Sequence, residues 1–217
     1  STVAVSAVAA EETAYPLDVF PDESKQETDT GTGAQLTYLT TNPASDTNLY
    51  FHERSWSSDS TFIIFYSARE PGGLMGYIVA TGELFRIATP SGAVGAATAA
   101  KNKSAVFALR GNEVVELNVT IALAKNPKRK RSSVKVSERV ICTLPESSGT
   151  TALNENSDGS KLAVGRPGTA GSDLPIVFVI DRQTGEMKEG YRVPTPPQFM
   201  WHVQWSQTSP NLLSFAG

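Results

Sequence analysis

The sequence predicts an all-β fold, a β-propeller built from four-stranded antiparallel blades, and three observations carry that prediction. Short runs rich in Ile, Val, Phe and Tyr alternate with clusters of Gly, Pro, Asp and Ser, which is how strands joined by hairpins read. One motif, a polar turn feeding an apolar strand, occurs at 59–65 (DSTFIIF), 102–108 (NKSAVFA), 158–164 (DGSKLAV) and 209–215 (SPNLLSF). Its copies stand about 40–55 residues apart, the length of one propeller blade. A second piece recurs beside it: 78–83 (IVATGE) matches 180–186 (IDRQTGE), and 113–119 (EVVELNV) fills the same slot in between. No helical period of useful length interrupts the pattern.

Taken in order, residues 1–34 form a tail or arm and residues 35–217 a partial propeller domain. The opening STVAVSAVAAEET is small and apolar, and Ala7-Val8-Ala9 resembles an A-x-A cleavage pattern at the end of a signal peptide. It is too short to span a membrane, so the expectation is a secreted or periplasmic protein. Residues 11–34 are acidic and turn-rich, an irregular arm over the surface. Residues 35–40 (QLTYLT) alternate as a strand and resemble 83–89 (ELFRIAT), so they are expected to complete a final blade at ring closure.

The stretch 48–86 holds the clearest copy of the unit, with strands expected at 50–56, 62–66, 75–79 and 83–87. Residues 93–101 (AVGAATAAK) align with the strand ahead of each anchor and read as a buried strand. The charge run at 125–135 (KNPKRKRSSVK) is a solvated hairpin tip or a patch for polyanions. The repeats supply about three blades and the start of a fourth, against the four to eight that close a ring. The chain is therefore expected to be the N-terminal part of a longer propeller, whose remainder is among its partners.

Composition narrows the function classes. The chain has 217 residues, 40% hydrophobic and 19% charged, with a net charge of −3. That balance suits a folded domain and gives no reason to expect nucleic acid or an acidic membrane as partner. The single cysteine, Cys142, cannot form an intrachain disulfide and reads as a small core hydrophobe. Nucleophile elbow, phosphate loop and Cys/His zinc spacing are all missing, and no glycosidase carboxylate pair stands out.

The two histidines are His52 and His202. Strand alternation puts His52 and Arg54 on one face, as binders of an anionic sugar or as part of a salt-bridged blade interior. His202, beside Trp201 at a strand entrance, reads on its own as an ordinary strand-edge histidine. Trp56, Trp201 and Trp205 either stack on sugar rings or pack between blades.

Several segments together resemble the oligogalacturonate lyase family, seven-bladed propeller enzymes that degrade short pectin fragments. They are 29–40 (DTGTGAQLTYLT), similar to the family's opening strand, 48–67, with Tyr50-Phe51 and the Ser57-Ser58-Asp59 turn of its first blade, and 201–215 (WHVQWSQTSPNLLSF). The resemblance implies β-elimination on a 4-linked uronate with Mn²⁺ or another divalent cation as cofactor and an oligogalacturonide as partner. It makes His202 a metal ligand and Arg166 the arginine that assists the catalytic base, and an anionic uronate suits the reading of His52, Arg54 and Trp201 as substrate contacts. The family's base histidine has no counterpart in 165–175 (GRPGTAGSDLP), which holds Arg166 and no histidine. The alternative is a non-catalytic propeller that binds glycan or protein.

Overall fold

The computed structural model describes residues 14–126, 130–145, 150–151, 153–166, 174–192 and 201–216. Every regular element among them is a β-strand. An N-terminal arm carries β1 (Tyr15–Pro16), β2 (Val19–Phe20), β3 (Lys25–Thr28) and β4 (Gln35–Tyr38). The first blade is β5 (Asp46–Thr47), β6 (Phe62–Ser67), β7 (Gly73–Ile78) and β8 (Leu84–Ile87). The second is β9 (Gly95–Ala99), β10 (Ala105–Arg110), β11 (Glu113–Ala122) and β12 (Ser133–Thr143). The third is β13 (Asn154–Glu155), β14 (Lys161–Arg166), β15 (Ile176–Asp181) and β16 (Met187–Arg192), and β17 (Trp201–Trp205) with β18 (Leu213–Ala216) opens a fourth. Strands pair antiparallel in chain order, so the earliest strand of each blade is innermost.

The repeated motif lands on the second strand every time. The turn ahead of it closes alike in all four copies. Ser57, Ala100, Asn156 and Ser206 donate their N–H to the carbonyls of Phe62 (3.0 Å), Ala105 (2.9 Å), Lys161 (3.0 Å) and Leu212 (2.8 Å). Asp59 and Asp158 fasten two of these turns, accepting from the Thr61 and Ser160 amides at 3.1 and 3.0 Å, as short polar side chains do in turns. The second recurring piece is the tip between third and fourth strands. Gly82 and Gly185 sit there at φ 73° and 74°, a left-handed conformation that glycine adopts without strain. A Cβ on Gly185 would lie 2.2 Å from the Ile141 carbonyl oxygen.

Successive side chains on a strand face opposite ways, and both faces of these blades are apolar. Leu162 and Val164 pack towards Phe107 and Val114 of the second blade. Ala163 and Val177 pack the other way, on Val203 and Trp205 of the fourth. Cys142 lies against the interface of blades two and three, where burial pushes its thiol up to about 11. A thiol so far from ionising is a packing group, not a nucleophile.

The arm is more ordered than its composition suggests. β1 pairs with β12 and β2 with β8, so two blades gain a fifth, outermost strand. Phe20 and Leu39 pack against Phe65, Met75, Tyr77 and Leu84 on the first blade's outward face, and Glu23 pairs with Arg69 at 2.7 Å. The two-residue strands β1 and β2 form because the blade edges supply unpaired backbone groups to bond, whereas the more polar β3 and β4 pair with each other. β4, expected to complete a final blade, pairs with β3 on one edge, and all four of its residues are exposed.

In the charge run, 127–129 lie outside the described residues. The run connects β11 to β12, and Ser132 within it is buried against the fully buried Glu83, which accepts from its amide and hydroxyl. No helix among the described residues is long and apolar enough to cross a membrane.

Gly185→Ala is expected to lower unfolding stability by more than about 1 kcal/mol, seen as a lower urea midpoint. Gly95→Ala, whose added Cβ meets nothing within 4 Å, should leave the midpoint close to that of the unaltered protein.

Candidate functional site

Where the innermost strands converge, a pocket of about 720 Å³ opens, within the range of small-ligand sites. Tyr50, His52, Glu53 and Tyr66 line it from the first blade, Ala96 from the second, Thr150 and Thr151 from just ahead of β13, and His202 from the fourth. Glu53, Ala96 and His202 hold equivalent places in their repeats, counted back from the turn-closing N–H groups of Ser57, Ala100 and Ser206. One repeat position thus builds much of the pocket wall.

Two of these positions share an unusual backbone. Ala96 and His202 have φ of 49° and 54°, uncommon for residues other than glycine. The strand register slips at both places. Such bulges bend a strand and re-aim a side chain, and here they turn His202 into the pocket.

In the first blade, the expected strand 50–56 gives way to a turn. The Glu53 amide donates to the Tyr50 carbonyl at 2.9 Å, and the Tyr50 amide donates to Glu53 Oε2 at 2.9 Å. This reciprocal closure gathers Tyr50, Phe51 and His52 beside His202. Tyr50 stacks on His202 with ring centroids 5.2 Å apart and planes 18° from parallel. His52 meets His202 edge-on at 5.8 Å. The Nδ1 atoms of both imidazoles are buried and unpartnered among the described residues, and a buried polar atom without a partner calls for an explanation.

The pocket's electrostatics favour neutral groups. Burial, and then the proximity of His202, hold the His52 imidazole below its usual pKa. Burial raises the Glu53 carboxyl above its ordinary value, with the Tyr50 amide opposing in part. His52 Nε2 lies 3.8 Å from Glu53 Oε1, close enough for their charge states to influence each other.

Of the residues singled out by sequence, His52 and His202 come together in this pocket. Arg54 is not among its lining residues. Its amide donates to Thr98 Oγ1 at 3.1 Å and its carbonyl accepts from Ala99 at 2.8 Å. The alternation that placed His52 and Arg54 on one face does not hold, because His52 lies in a turn. Arg166 ends β14 and also lies off the pocket wall. It acts on Glu189, whose carboxyl is held low by the Arg192 hydrogen bond and then by Arg192 and Arg166 charge.

The loop after Arg166, at 167–173, and the Trp201 side chain lie outside the described residues. Trp205 is buried between blades, as the packing reading has it, whereas Trp56 is half exposed. Sequence reasoning passed over Tyr50, Glu53 and Tyr66 as site residues. The repeat alignment that equates Glu53 with His202 was the signal that could have found Glu53.

The described residues contain no group of three or more His, Cys, Asp or Glu able to hold a metal. His52 and His202 offer two imidazole nitrogens, whereas Mn²⁺ favours an oxygen-rich octahedral set. The residues present therefore fit as part of a donor set, not a complete one.

The lowered His52 pKa has a stability consequence with a definite sign. Its neutral form is favoured in the fold, so its contribution is present above the ordinary histidine pKa and is lost as pH falls through the lowered one. NMR titration should place the His52 midpoint below that of a free histidine, and His202→Gln should move it upward. A His52 midpoint at the free value would contradict the buried geometry.

The chain matches no protein-family model and no curated protein. Among solved structures it is similar to an oligogalacturonate lyase in complex with manganese, at 17% identity and TM-score 0.64 over 95% of this chain and 54% of that one. It is similar also to the oligogalacturonate lyase of Vibrio parahaemolyticus, at 13% identity and TM-score 0.65 over the same shares. The Swd1 β-propeller domain of Myceliophteria thermophila follows at 12% identity and TM-score 0.55, over 90% of this chain and 61% of that one. The chain spans about half the length of the two lyases. At these identities the likeness shows the fold: this is a β-propeller chain with oligogalacturonate lyases among its distant structural relatives.

Proposed function

We propose that the pocket binds a uronate oligosaccharide, and that the chain belongs to a propeller lyase that cleaves pectin fragments by β-elimination. The observation that carries this reading is the meeting of His52 and His202, from opposite ends of the sequence, with both Nδ1 atoms buried and unpartnered. In the reaction the C5 proton passes to a base, a C4–C5 double bond forms, the C4–oxygen bond breaks and the departing oxygen takes a proton. His52, which lines the pocket and is held below its usual pKa, is the residue this reading assigns as proton acceptor.

Tyr50 and the exposed Phe51 flank the imidazoles with ring faces on which a pyranose can rest. His202 would contribute one donor to a divalent cation such as Mn²⁺. A bound cation would stabilise the negative charge that develops next to the uronate carboxylate. Arg166 enters this reading only through the resemblance, and Arg54 and Trp201 only through their side-chain chemistry. The substrate class implies an exported protein, secreted or periplasmic.

A second reading, a glycan-binding propeller without catalysis, is favoured by the lack of a three-donor metal group among the described residues. One assay separates the two. The protein is incubated with oligogalacturonides, with and without Mn²⁺, and the ultraviolet absorbance of the unsaturated product is followed. The lyase reading expects product, its abolition in His202→Ala, and a loss of about 10² or more in rate in His52→Ala. Binding without product in any condition overturns the lyase in favour of the binding module, and neither binding nor product removes both.

A further inference from the structure

A second cavity, of about 450 Å³, lies between the arm and the first blade and shares no described lining residue with the histidine pocket. Its size is within the range of small-ligand sites. Tyr38 and Leu39 bound it from the arm, and Ile63 and Phe65 from β6. Leu39 packs against the cluster that contains Phe65, so the two walls are joined. Asp46 and Thr47 of β5, Asn48 beyond them, and Ser55 supply polar lining. The Ser55 carbonyl accepts the Ile64 amide at 2.8 Å, which holds that residue beside β6.

Among the described residues, none of these four polar side chains has a hydrogen-bond partner or an ion pair. Asp46 is part-buried, and its Oδ1 is withdrawn from solvent with nothing to bond. Arg69 reaches the lining residue Thr40 at 3.1 Å but is paired with Glu23 at 2.7 Å. No Lys, Arg or His is among the described lining residues. A carboxylate that the protein leaves without donors takes them from whatever enters the cavity.

The mixture of groups selects the ligand. The Asp46 carboxylate only accepts, whereas the Thr47 and Ser55 hydroxyls and the Asn48 carboxamide both donate and accept. Alcohol hydroxyls, which also do both, answer the whole set. An ammonium, which only donates, would leave the amide and hydroxyl donors unmet. Tyr38, 47% exposed, and the Leu39 and Ile63 side chains offer apolar surface to the C–H face of a sugar ring. One negative charge with no lining cation opposes an acidic sugar.

We propose that this cavity binds a neutral pyranose, with Asp46 accepting from its ring hydroxyls and Tyr38 covering its apolar face. The site stands apart from the histidine pocket and requires no lyase activity. Calorimetric titration with D-galactose, D-glucose and D-mannose in turn tests it. At least one of the three is expected to bind saturably, and galacturonate should displace it only at about tenfold higher concentration. Asp46→Asn should weaken the hexose about tenfold, as loss of hydrogen bonds to a charged group does, and should narrow the preference over galacturonate. Tyr38→Ala should weaken it about threefold or more. Both variants should keep the thermal midpoint of the unaltered protein, since neither side chain is fully buried, which separates loss of binding from loss of fold. His202→Ala should bind the hexose unchanged, so that this reading and the lyase reading fail separately. No saturable binding of any of the three hexoses, or equal affinity in Asp46→Asn and the unaltered protein, overturns the proposal.

Discussion

The buried side-chain amide of Asn154 holds the inner ends of three blades in one arrangement. Its Oδ1 accepts the Trp205 amide at 2.8 Å, and its Nδ2 donates to the His52 carbonyl at 3.3 Å. Sheets that pack only through apolar faces can slide, because hydrophobic contact is non-directional. A bifunctional amide is directional, and this one fixes the turn bearing His52 and the strand bearing His202 with respect to the third blade. The 5.8 Å meeting of the two imidazoles is thus set by a residue that touches neither ring. Direct bonds from Ala99 to Arg54 and from Leu153 to Ala96 continue the same inner lacing.

The fold was legible because a propeller repeats itself. Each blade needs a polar turn before a strand buried on both faces, and that need writes a recognisable string wherever it recurs. The copies at 59–65 and 158–164 are legible through Asp59 and Asp158, which bond the amide two residues on. The tips at Gly82 and Gly185 are legible because a left-handed φ there favours glycine. Even the Ala/Gly-rich stretch at 93–101, which has no strong β-formers besides Val94 and Thr98, was placed by alignment and forms β9. Long-range repetition overrode weak local propensity.

The site was legible only in part, because its geometry comes from departures from the repeat. His202 could be named from its segment, but nothing local announces that it takes a left-handed φ at a bulge. The aromatic run at 50–56 has strand composition, and it turns because the Glu53 side chain and main chain both close on Tyr50. That side-chain competition with the backbone ladder is invisible to a period-two pattern. The arm posed the opposite difficulty. Its composition suits an irregular segment, and its first two strands exist because blade edges elsewhere in the chain offer partners.

Charge is sorted within the inner face in a way that constrains any anionic ligand. The histidine pocket holds groups shifted towards neutrality, His52 by burial and His202, and Glu53 by burial. The permanent cations stand outside it, with Arg54 and Lys101 by Glu155, and Arg166 by Glu189. A carboxylate moved from water into a part-buried pocket loses hydration unless a cation meets it, a cost of several kcal/mol for a fully buried ion. A neutral face of a sugar suits the Tyr50 and Phe51 rings far better. A uronate ligand in this pocket therefore has to place its pyranose face on the aromatic rings and its carboxylate towards a cation, which no described lining residue supplies. Selectivity for acidic over neutral sugars would then reside in that cation, while the rings and imidazoles fix the orientation of the ring being read.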